Sequence, residues 1–183
     1  MSTVEILAVL FSVSYVILAT KENIWCWLCA AVSVTLYLYI CFTAKLYPET
    51  GLQIFYLIMA FYGFSQWKKP KNTIPLQQWD IKTHTFILLL GGFASFLLGY
   101  YFDTKTDAAL PYLDSTTTIF SIITTYMVTK KIVENWLYWI AIDALSIYLY
   151  YNRELSLTAG LFGFYIIIAV FGYFNWKKNM QNQ

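Results

Sequence analysis

Polar side chains inside an apolar segment are the first candidates for chemistry in this sequence. Residues 135–151 read NWLYWIAIDALSIYLYY, an apolar run that contains an amide and a carboxylate. In a helix, Asn135, Trp139 and Asp143 would lie four residues apart on one face, with Trp136 beside them. A carboxylate next to an aromatic face favours a flat, cationic ring, held by stacking and cation–π attraction. Both tryptophans would also fit an interfacial belt.

Amides and hydroxyls in two further runs suit a sugar or another polyhydroxyl group. Gln53 lies in the run 50–67, and Asp114 and Thr117 begin a polar stripe in the run 112–129. Each also has a structural interpretation. Gln53 would form a hydrogen bond between helices, Asp114 would cap a helix, and Thr117 would bond to its own backbone.

Signals for catalysis, metal binding and phosphate binding are weak. Cys26 and Cys29 have C-x-x-C spacing, but no second pair accompanies them, and the sequence has a single histidine, His84. We therefore expect no enzyme, no metal site and no cofactor, and we expect the cysteines to be buried core thiols. Gly-rich loops and basic residues inside the apolar runs are also absent, which makes a phosphorylated nucleotide a poor candidate.

The elements that position these residues must be membrane helices. Of the 183 residues, 59% are hydrophobic and only 12% are charged, and the mean hydropathy is +0.55. Soluble domains carry about 25% charged residues, so this chain lacks the charge to cover a surface exposed to water. A soluble domain, a disordered chain and a nucleic-acid-binding module are excluded, and the lipid bilayer is the expected partner.

Seven runs are long and apolar enough to cross a hydrocarbon core about 30 Å thick. They are continuous rather than alternating, which favours helices over strands. The prediction is an all-α integral membrane protein with seven transmembrane helices. Their spans are 4–20, 24–44, 50–67, 84–102, 112–129, 135–151 and 155–176.

The basic residues orient these spans. Nine of the twelve fall in loops on one side and three on the other. Because cytoplasmic loops carry the excess of Lys and Arg, we expect the N-terminus outside and the C-terminus in the cytoplasm. The nine are Lys21, Lys68, Lys69, Lys71, Lys82, Lys130, Lys131, Lys177 and Lys178; the three are Lys45, Lys105 and Arg153.

An internal repeat divides the chain into two units. Residues 51–69 (GLQIFYLIMAFYGFSQWKK) and 160–178 (GLFGFYIIIAVFGYFNWKK) align without a gap, and both end in Trp-Lys-Lys. The upstream matches pair Glu22-Asn23 with Glu134-Asn135 and Trp27 with Trp139. One helix between two three-helix units restores their orientation, so the repeats are parallel. In transporters with such repeats, the substrate site lies near the midplane at the repeat interface.

The expected architecture is therefore two parallel three-helix repeats joined by helix 4, a 3+1+3 arrangement. The first repeat occupies 1–69, a cytoplasmic loop and the linker helix occupy 70–111, and the second repeat occupies 112–183.

These motifs resemble the PnuC family of bacterial vitamin transporters, best known for nicotinamide riboside. The resemblance runs over most of the chain. Its most specific pieces are Leu52-Gln53-Ile54-Phe55-Tyr56, Tyr62-Gly63 to Trp67, Asp114-Ser115, and Lys131-Ile132-Val133-Glu134-Asn135-Trp136 with Trp139. It implies a fold similar to that of the SWEET sugar transporters, usually a homotrimer, in the bacterial cytoplasmic (inner) membrane. It also implies facilitated diffusion, with phosphorylation of the vitamin in the cytoplasm keeping the gradient inward.

Carried over to matching positions, the resemblance makes Gln53, Asn135 and Trp139 substrate contacts. Asp114 and Trp136 also match the motifs. Some nicotinamide riboside members have a longer segment between helices 4 and 5 than this chain, and close relatives carry thiamin instead. Thiamin is also a cationic aromatic, so the residues leave both vitamins open, with nicotinamide riboside preferred. A membrane subunit that captures the vitamin without translocating it is a third alternative.

Overall fold

Seven α-helices make up the computed structural model, which describes residues 3–43, 47–69, 74–107, 109–152 and 156–182. The prediction of seven helices, one on each apolar run, is confirmed. They are α1 (Thr3–Thr20), α2 (Cys26–Thr43), α3 (Tyr47–Trp67), α4 (Ile81–Lys105), α5 (Pro111–Thr129), α6 (Asn135–Asn152) and α7 (Ser156–Gln181). Extended pairing within these ranges is limited to an isolated bridge between Gln77 and Ile132.

Helix α4 begins before the apolar run that predicts it, because a polar cap precedes the run. The Asp80 carboxylate accepts hydrogen bonds from the Thr83 hydroxyl and from the Thr83 backbone N–H, the latter at 3.0 Å. These bonds, the hydroxyl one foremost, favour the charged form and lower the pKa of Asp80 below its ordinary value. Hydropathy thus locates the spanning part of α4 but not its capped end.

The helices pack in two groups of three. Consecutive helices α1, α2 and α3 approach one another, as do α5, α6 and α7. The groups meet where α1 approaches α7 and where α3 approaches α5. Among the described helices, α4 approaches only α5 closely, and a side-chain contact from His84 reaches Tyr138 of α6.

Four helices are apolar and long enough to cross a membrane on composition alone: α1, α2, α4 and the segment Thr158–Gln181 of α7. Large apolar side chains of α4 are exposed, among them Phe86, Leu89 and Phe93, as expected for a surface that faces lipid. The helices outside this set are α3, α5 and α6, and all seven predicted site residues lie on those three. In α5 and α6, buried polar residues contribute to the lower hydropathy, among them Ser115, Thr125 and Ser146.

The turn between α1 and α2 has the same form as the turn between α5 and α6. Glu22 and Lys131, 109 positions apart, are the non-glycine residues with positive φ in the described part of the chain, at 52° and 56°. The backbone hydrogen bonds around them repeat with the same spacing. This spacing pairs Trp27 with Trp136 and not with Trp139, so the gapped upstream match made from the sequence was wrong. The sequence match aligned identical residues, Glu22-Asn23 with Glu134-Asn135. The structure instead aligns Glu22 with Lys131, because the two turns have the same backbone shape although their residues differ.

Candidate functional site

Asn135 begins α6 and is fully buried. Its side-chain amide donates a hydrogen bond to the Ile132 carbonyl at 2.6 Å, which closes the turn before the helix. The Oδ1 oxygen of Asn135 is buried and has no hydrogen-bond partner among the described residues. A buried acceptor without a partner is costly, so this oxygen is a place where a ligand donor would be stabilising.

Trp136 packs more tightly than a residue that only contacts a ligand. Its ring lies edge-on to Trp176, with centroids 5.4 Å apart and planes at 87°. A Cβ on Gly172 would come within 2.7 Å of the ring, so the glycine makes room for it. Trp136 is 2% exposed, and its indole N–H has no partner in the described structure. The ring therefore belongs to the core, and its N–H is the part left for a ligand.

Trp139 lies one turn further along α6 and is half-buried. It packs against the buried cluster that includes Trp27 and Trp136. Of the two tryptophans predicted for the site, Trp139 has the more accessible ring.

Asp143 lies one turn beyond Trp139 and is buried, with 5% of its surface exposed. Among the described residues it forms no ion pair. The Tyr165 hydroxyl of α7 is within electrostatic range of its carboxylate. That hydroxyl is itself 2.6 Å from the Ser12 hydroxyl of α1. An acid held away from water without a cation is costly inside a membrane protein, which makes Asp143 a candidate for function.

Gln53, Asp114 and Thr117 approach the interior from α3 and α5. Gln53 and Asp114 are half-buried, and Thr117 is buried. The Thr117 hydroxyl donates to the Asp114 backbone carbonyl at 2.9 Å. This is the bond to its own helix backbone that the sequence suggested as the structural interpretation of Thr117. The backbone of α5 approaches both α3 and α6, whereas α3 and α6 do not approach each other among the described residues. The seven predicted residues therefore lie on three helices, with α5 between α3 and α6.

Two tyrosine–serine pairs were not predicted. Tyr165 hydrogen-bonds Ser12, and Tyr56 interacts with the Ser121 side chain. Both pairs cross between the two helix groups, and their members are related by the same 109 positions. The ungapped repeat alignment contains both tyrosines, and extending it upstream without a gap pairs the two serines. The sequence therefore contained the relation between the two pairs, but the gap introduced into the upstream alignment of the repeats concealed it.

Four tryptophan rings form a continuous chain at the end of the bundle where α3 and α7 end. Trp27 contacts Trp67 at 5.4 Å, Trp67 contacts Trp176 at 6.0 Å, and Trp176 contacts Trp136 at 5.4 Å. The Trp67 indole donates to the Thr129 carbonyl at 3.3 Å and the Trp176 indole to the Ala19 carbonyl at 2.9 Å. Each of these bonds joins a helix of one group to the C-terminal end of a helix of the other group.

Two grooves flank α4, and neither is lined by a predicted site residue. The larger, of about 680 Å³, lies between α3, α4 and α5 and is lined almost entirely by apolar side chains. Its chemistry suits hydrocarbon rather than a charged vitamin. Among the described residues, no three His, Cys, Asp or Glu side chains converge as a metal site would require. The cysteines are free thiols; Cys26 is buried as expected, whereas Cys29 and Cys41 are half-buried because parts of α2 lie at the surface.

A seven-helix membrane protein with polar and aromatic groups in its interior can hold a small polar molecule within the membrane. Comparison with known proteins gives the family. The model of the nicotinamide mononucleotide transporter family matches residues 2–178, and the chain belongs to that family. It is therefore a membrane transporter and not an enzyme.

The relatives are transporters as well. The chain is 31% identical over 177 residues to the nicotinamide riboside transporter PnuC of Neisseria mucosa. That alignment covers 89% of this chain and 67% of the relative. It is 24% identical over 161 residues to the PnuC of Escherichia coli, covering 73% of this chain and 67% of that protein. A crystal structure of the vitamin B3 transporter PnuC has the same fold, with a TM-score of 0.79 at 24% identity over 98% of this chain and 82% of that one.

Proposed function

We propose that this chain takes up nicotinamide riboside across the bacterial inner membrane. The observation that carries the proposal is the inner face of α6, where buried Asn135 and Asp143 lie on either side of the half-buried Trp139. The riboside combines a flat pyridinium cation, a carboxamide and a ribose. The relatives from Neisseria mucosa and Escherichia coli carry this substrate in their names.

Each group of the riboside has a partner of suitable chemistry. Trp139 stacks on the pyridinium ring, and Asp143 offsets its positive charge. The free Asn135 Oδ1 accepts a hydrogen bond from the carboxamide or from a ribose hydroxyl, and the Trp136 N–H donates one. Gln53, Asp114 and Thr117 serve the ribose from the side of α3 and α5.

The riboside fits this chain better than the mononucleotide in the family description. A phosphate would need basic groups or several free backbone amides. Within the seven helices, Lys residues occur only near helix ends: Lys82 and Lys105 at the ends of α4, and Lys177 and Lys178 near the end of α7. The inner face of α6 offers a carboxylate, which repels a phosphate.

Thiamin is the second candidate, because its cationic aromatic rings suit the same pair of Trp139 and Asp143. A subunit that captures vitamin without translocating it is the third. Unlike a capture subunit, a transporter requires two structural units that can move relative to each other.

We further propose that these units are the parallel repeats at 1–69 and 112–183, joined by the segment 70–111 that contains α4. The approach of α1 to α7 mirrors that of α5 to α3. The Tyr–Ser contacts between the helix groups are related by the same 109 positions, and the two Trp–carbonyl contacts join equivalent helix ends with a shift of one residue. Two related halves around a central site suit alternating access by rocking or gating. Facilitated diffusion then suffices, with phosphorylation of the vitamin in the cytoplasm retaining it.

The distribution of lysines supports one orientation in the membrane. The nine-Lys side holds the turn before α2, the turn before α6 and the end of α7, and we propose that it faces the cytoplasm, with the N-terminus outside. We also propose a homotrimer, as the resemblance implies. The exposed apolar surface of α4 can accommodate another copy or lipid.

A paired titration and uptake assay tests the function. Purified protein is titrated with nicotinamide riboside and, in parallel, with thiamin, and labelled compound is then offered to liposomes without ATP or an ion gradient. We expect tighter binding of the riboside and its accumulation to equilibrium. Tighter binding of thiamin would reassign the substrate, binding without uptake would favour the capture subunit, and uptake only with a sodium or proton gradient would refute facilitated diffusion.

A further inference from the structure

One ion pair joins the two helix groups at the end of the bundle that holds the tryptophan chain. The Lys131 ammonium lies 2.9 Å from Glu22 Oε2, and these side chains are 12% and 16% exposed. Glu22 belongs to the turn between α1 and α2, and Lys131 to the turn between α5 and α6. It is the one salt bridge among the described residues.

The two partners occupy equivalent positions, 109 residues apart, with the same left-handed backbone conformation. A duplicated turn would place like side chains opposite each other, and like charges would repel. This chain instead has an acid in one turn and a base in the other, so two related turns attract across the interface of the halves.

Further contacts engage the same two side chains. The other oxygen of Glu22 accepts a hydrogen bond from the Asn179 amide of α7 at 3.0 Å. The Lys131 ammonium also lies over the Trp67 ring, 5.1 Å from its centroid. Each partner therefore binds a second group from the opposite half: α7 for Glu22 and α3 for Lys131.

The backbone of Lys131 is held in place as well. Its carbonyl accepts a hydrogen bond from the Gln77 N–H at 3.0 Å, and the Gln77 carbonyl accepts one from the Val133 N–H at 2.9 Å. The segment before α4 thus fixes the turn that presents Lys131. A neighbouring hydrogen bond also joins the two helix groups: the Asn175 amide of α7 donates to the Thr20 carbonyl of α1 at 2.6 Å.

We propose that Glu22 and Lys131 form a latch that holds this end of the transporter closed and that breaks each time the end opens. This inference rests on the proposed function, in which the two halves move to give alternating access. An ion pair whose side chains keep 12% and 16% of their surface in contact with water suits a reversible closure, because water solvates each charge once the halves separate. The tryptophan chain beneath it excludes water while the latch is closed.

The native Cys26 is a reporter for the latch. It is fully buried at the start of α2 and lies within electrostatic range of Lys131. In full-length protein carrying Cys29→Ser and Cys41→Ser, the rate of Cys26 alkylation by a water-soluble maleimide measures how often this end opens. The assay needs no vitamin.

We expect Lys131→Met and Glu22→Gln each to speed the alkylation of Cys26 by roughly fivefold or more. The exposed neighbour Lys21 is the charge control, and Lys21→Met should leave the rate unchanged. The exchange Glu22→Lys with Lys131→Glu should restore slow alkylation, because attraction returns with the charges reversed. Size-exclusion chromatography of every variant shows that the comparison is made on folded protein.

Two results would overturn the latch. Alkylation of Lys131→Met and Glu22→Gln at the rate of Lys21→Met would show that the ion pair does not control opening. Rapid alkylation that persists in the charge-exchanged variant would show a general loosening of the turn instead. A parent protein that fails to transport the riboside, while its Lys131→Met variant is alkylated faster, would refute the proposed function and leave the latch standing.

Discussion

The Tyr165 hydroxyl lies 2.6 Å from the Ser12 hydroxyl and joins α7 to α1. Tyr56 and Ser121, each 109 positions from its counterpart, interact in the corresponding place between α3 and α5. The same interaction thus occurs twice between the helix groups: once with the tyrosine from the second group and the serine from the first, and once with these roles exchanged. Two equivalent tyrosine–serine interactions therefore join the groups there.

The Tyr165 contact gives the first prediction. Tyr165→Phe removes one partner of a partly buried hydrogen bond, and we expect a loss of about 1 kcal/mol in the free energy of unfolding. Thermal unfolding of detergent-solubilised protein should show a lower midpoint. Tyr151→Phe, at an exposed tyrosine of α6, is the control and should unfold like the parent. Equal midpoints for the two variants would mean that the Ser12 contact contributes nothing.

The two tryptophans of α6 should respond differently to truncation. Trp136→Ala opens a hole between Trp176 and Gly172, and a substitution of this size in a core costs about 3–5 kcal/mol of stability. Trp139→Ala removes a half-buried ring, so we expect weaker riboside binding by roughly tenfold from lost stacking, with a smaller drop in the unfolding midpoint. Calorimetric titration and thermal unfolding of both variants measure the contrast. Unchanged affinity in Trp139→Ala would remove its ring from the site.

Asn135 offers a substitution that the protein already contains elsewhere. After the turn between α1 and α2, the position equivalent to Asn135 is Cys26, which is fully buried at the start of α2. Asn135→Cys should therefore fold, while it loses the free Oδ1 acceptor. We expect riboside affinity to fall roughly tenfold, the value of one buried hydrogen bond to a ligand. An affinity equal to that of the parent would assign Asn135 a purely structural role in the turn.

The sequence predicts the seven helices well because each is a continuous apolar run bounded by polar residues. The site is harder to predict because the sequence does not show which helices approach one another. Trp136 and Trp139 differ by less than one turn, yet only the positions of Gly172 and Trp176 show that the first ring is packed in the core. The pairing of Trp27 with Trp136 also fits the ungapped repeat, but the match of Glu22-Asn23 with Glu134-Asn135 hid it until the hydrogen bonds of the turns were compared.

Asp143 allows the charge of the substrate to be tested directly. Asp143→Asn keeps the size of the side chain and removes the negative charge, so binding of the pyridinium form of nicotinamide riboside should weaken by roughly tenfold, or about 1.4 kcal/mol. The reduced dihydronicotinamide riboside has nearly the same shape and no ring charge, and its affinity should be little changed by the substitution. Titration of parent and variant with both compounds separates attraction by charge from packing. An equal loss for the charged and the neutral compound would show that Asp143 shapes the cavity rather than neutralising the ring, and the cation would then have to be held by the aromatic face alone.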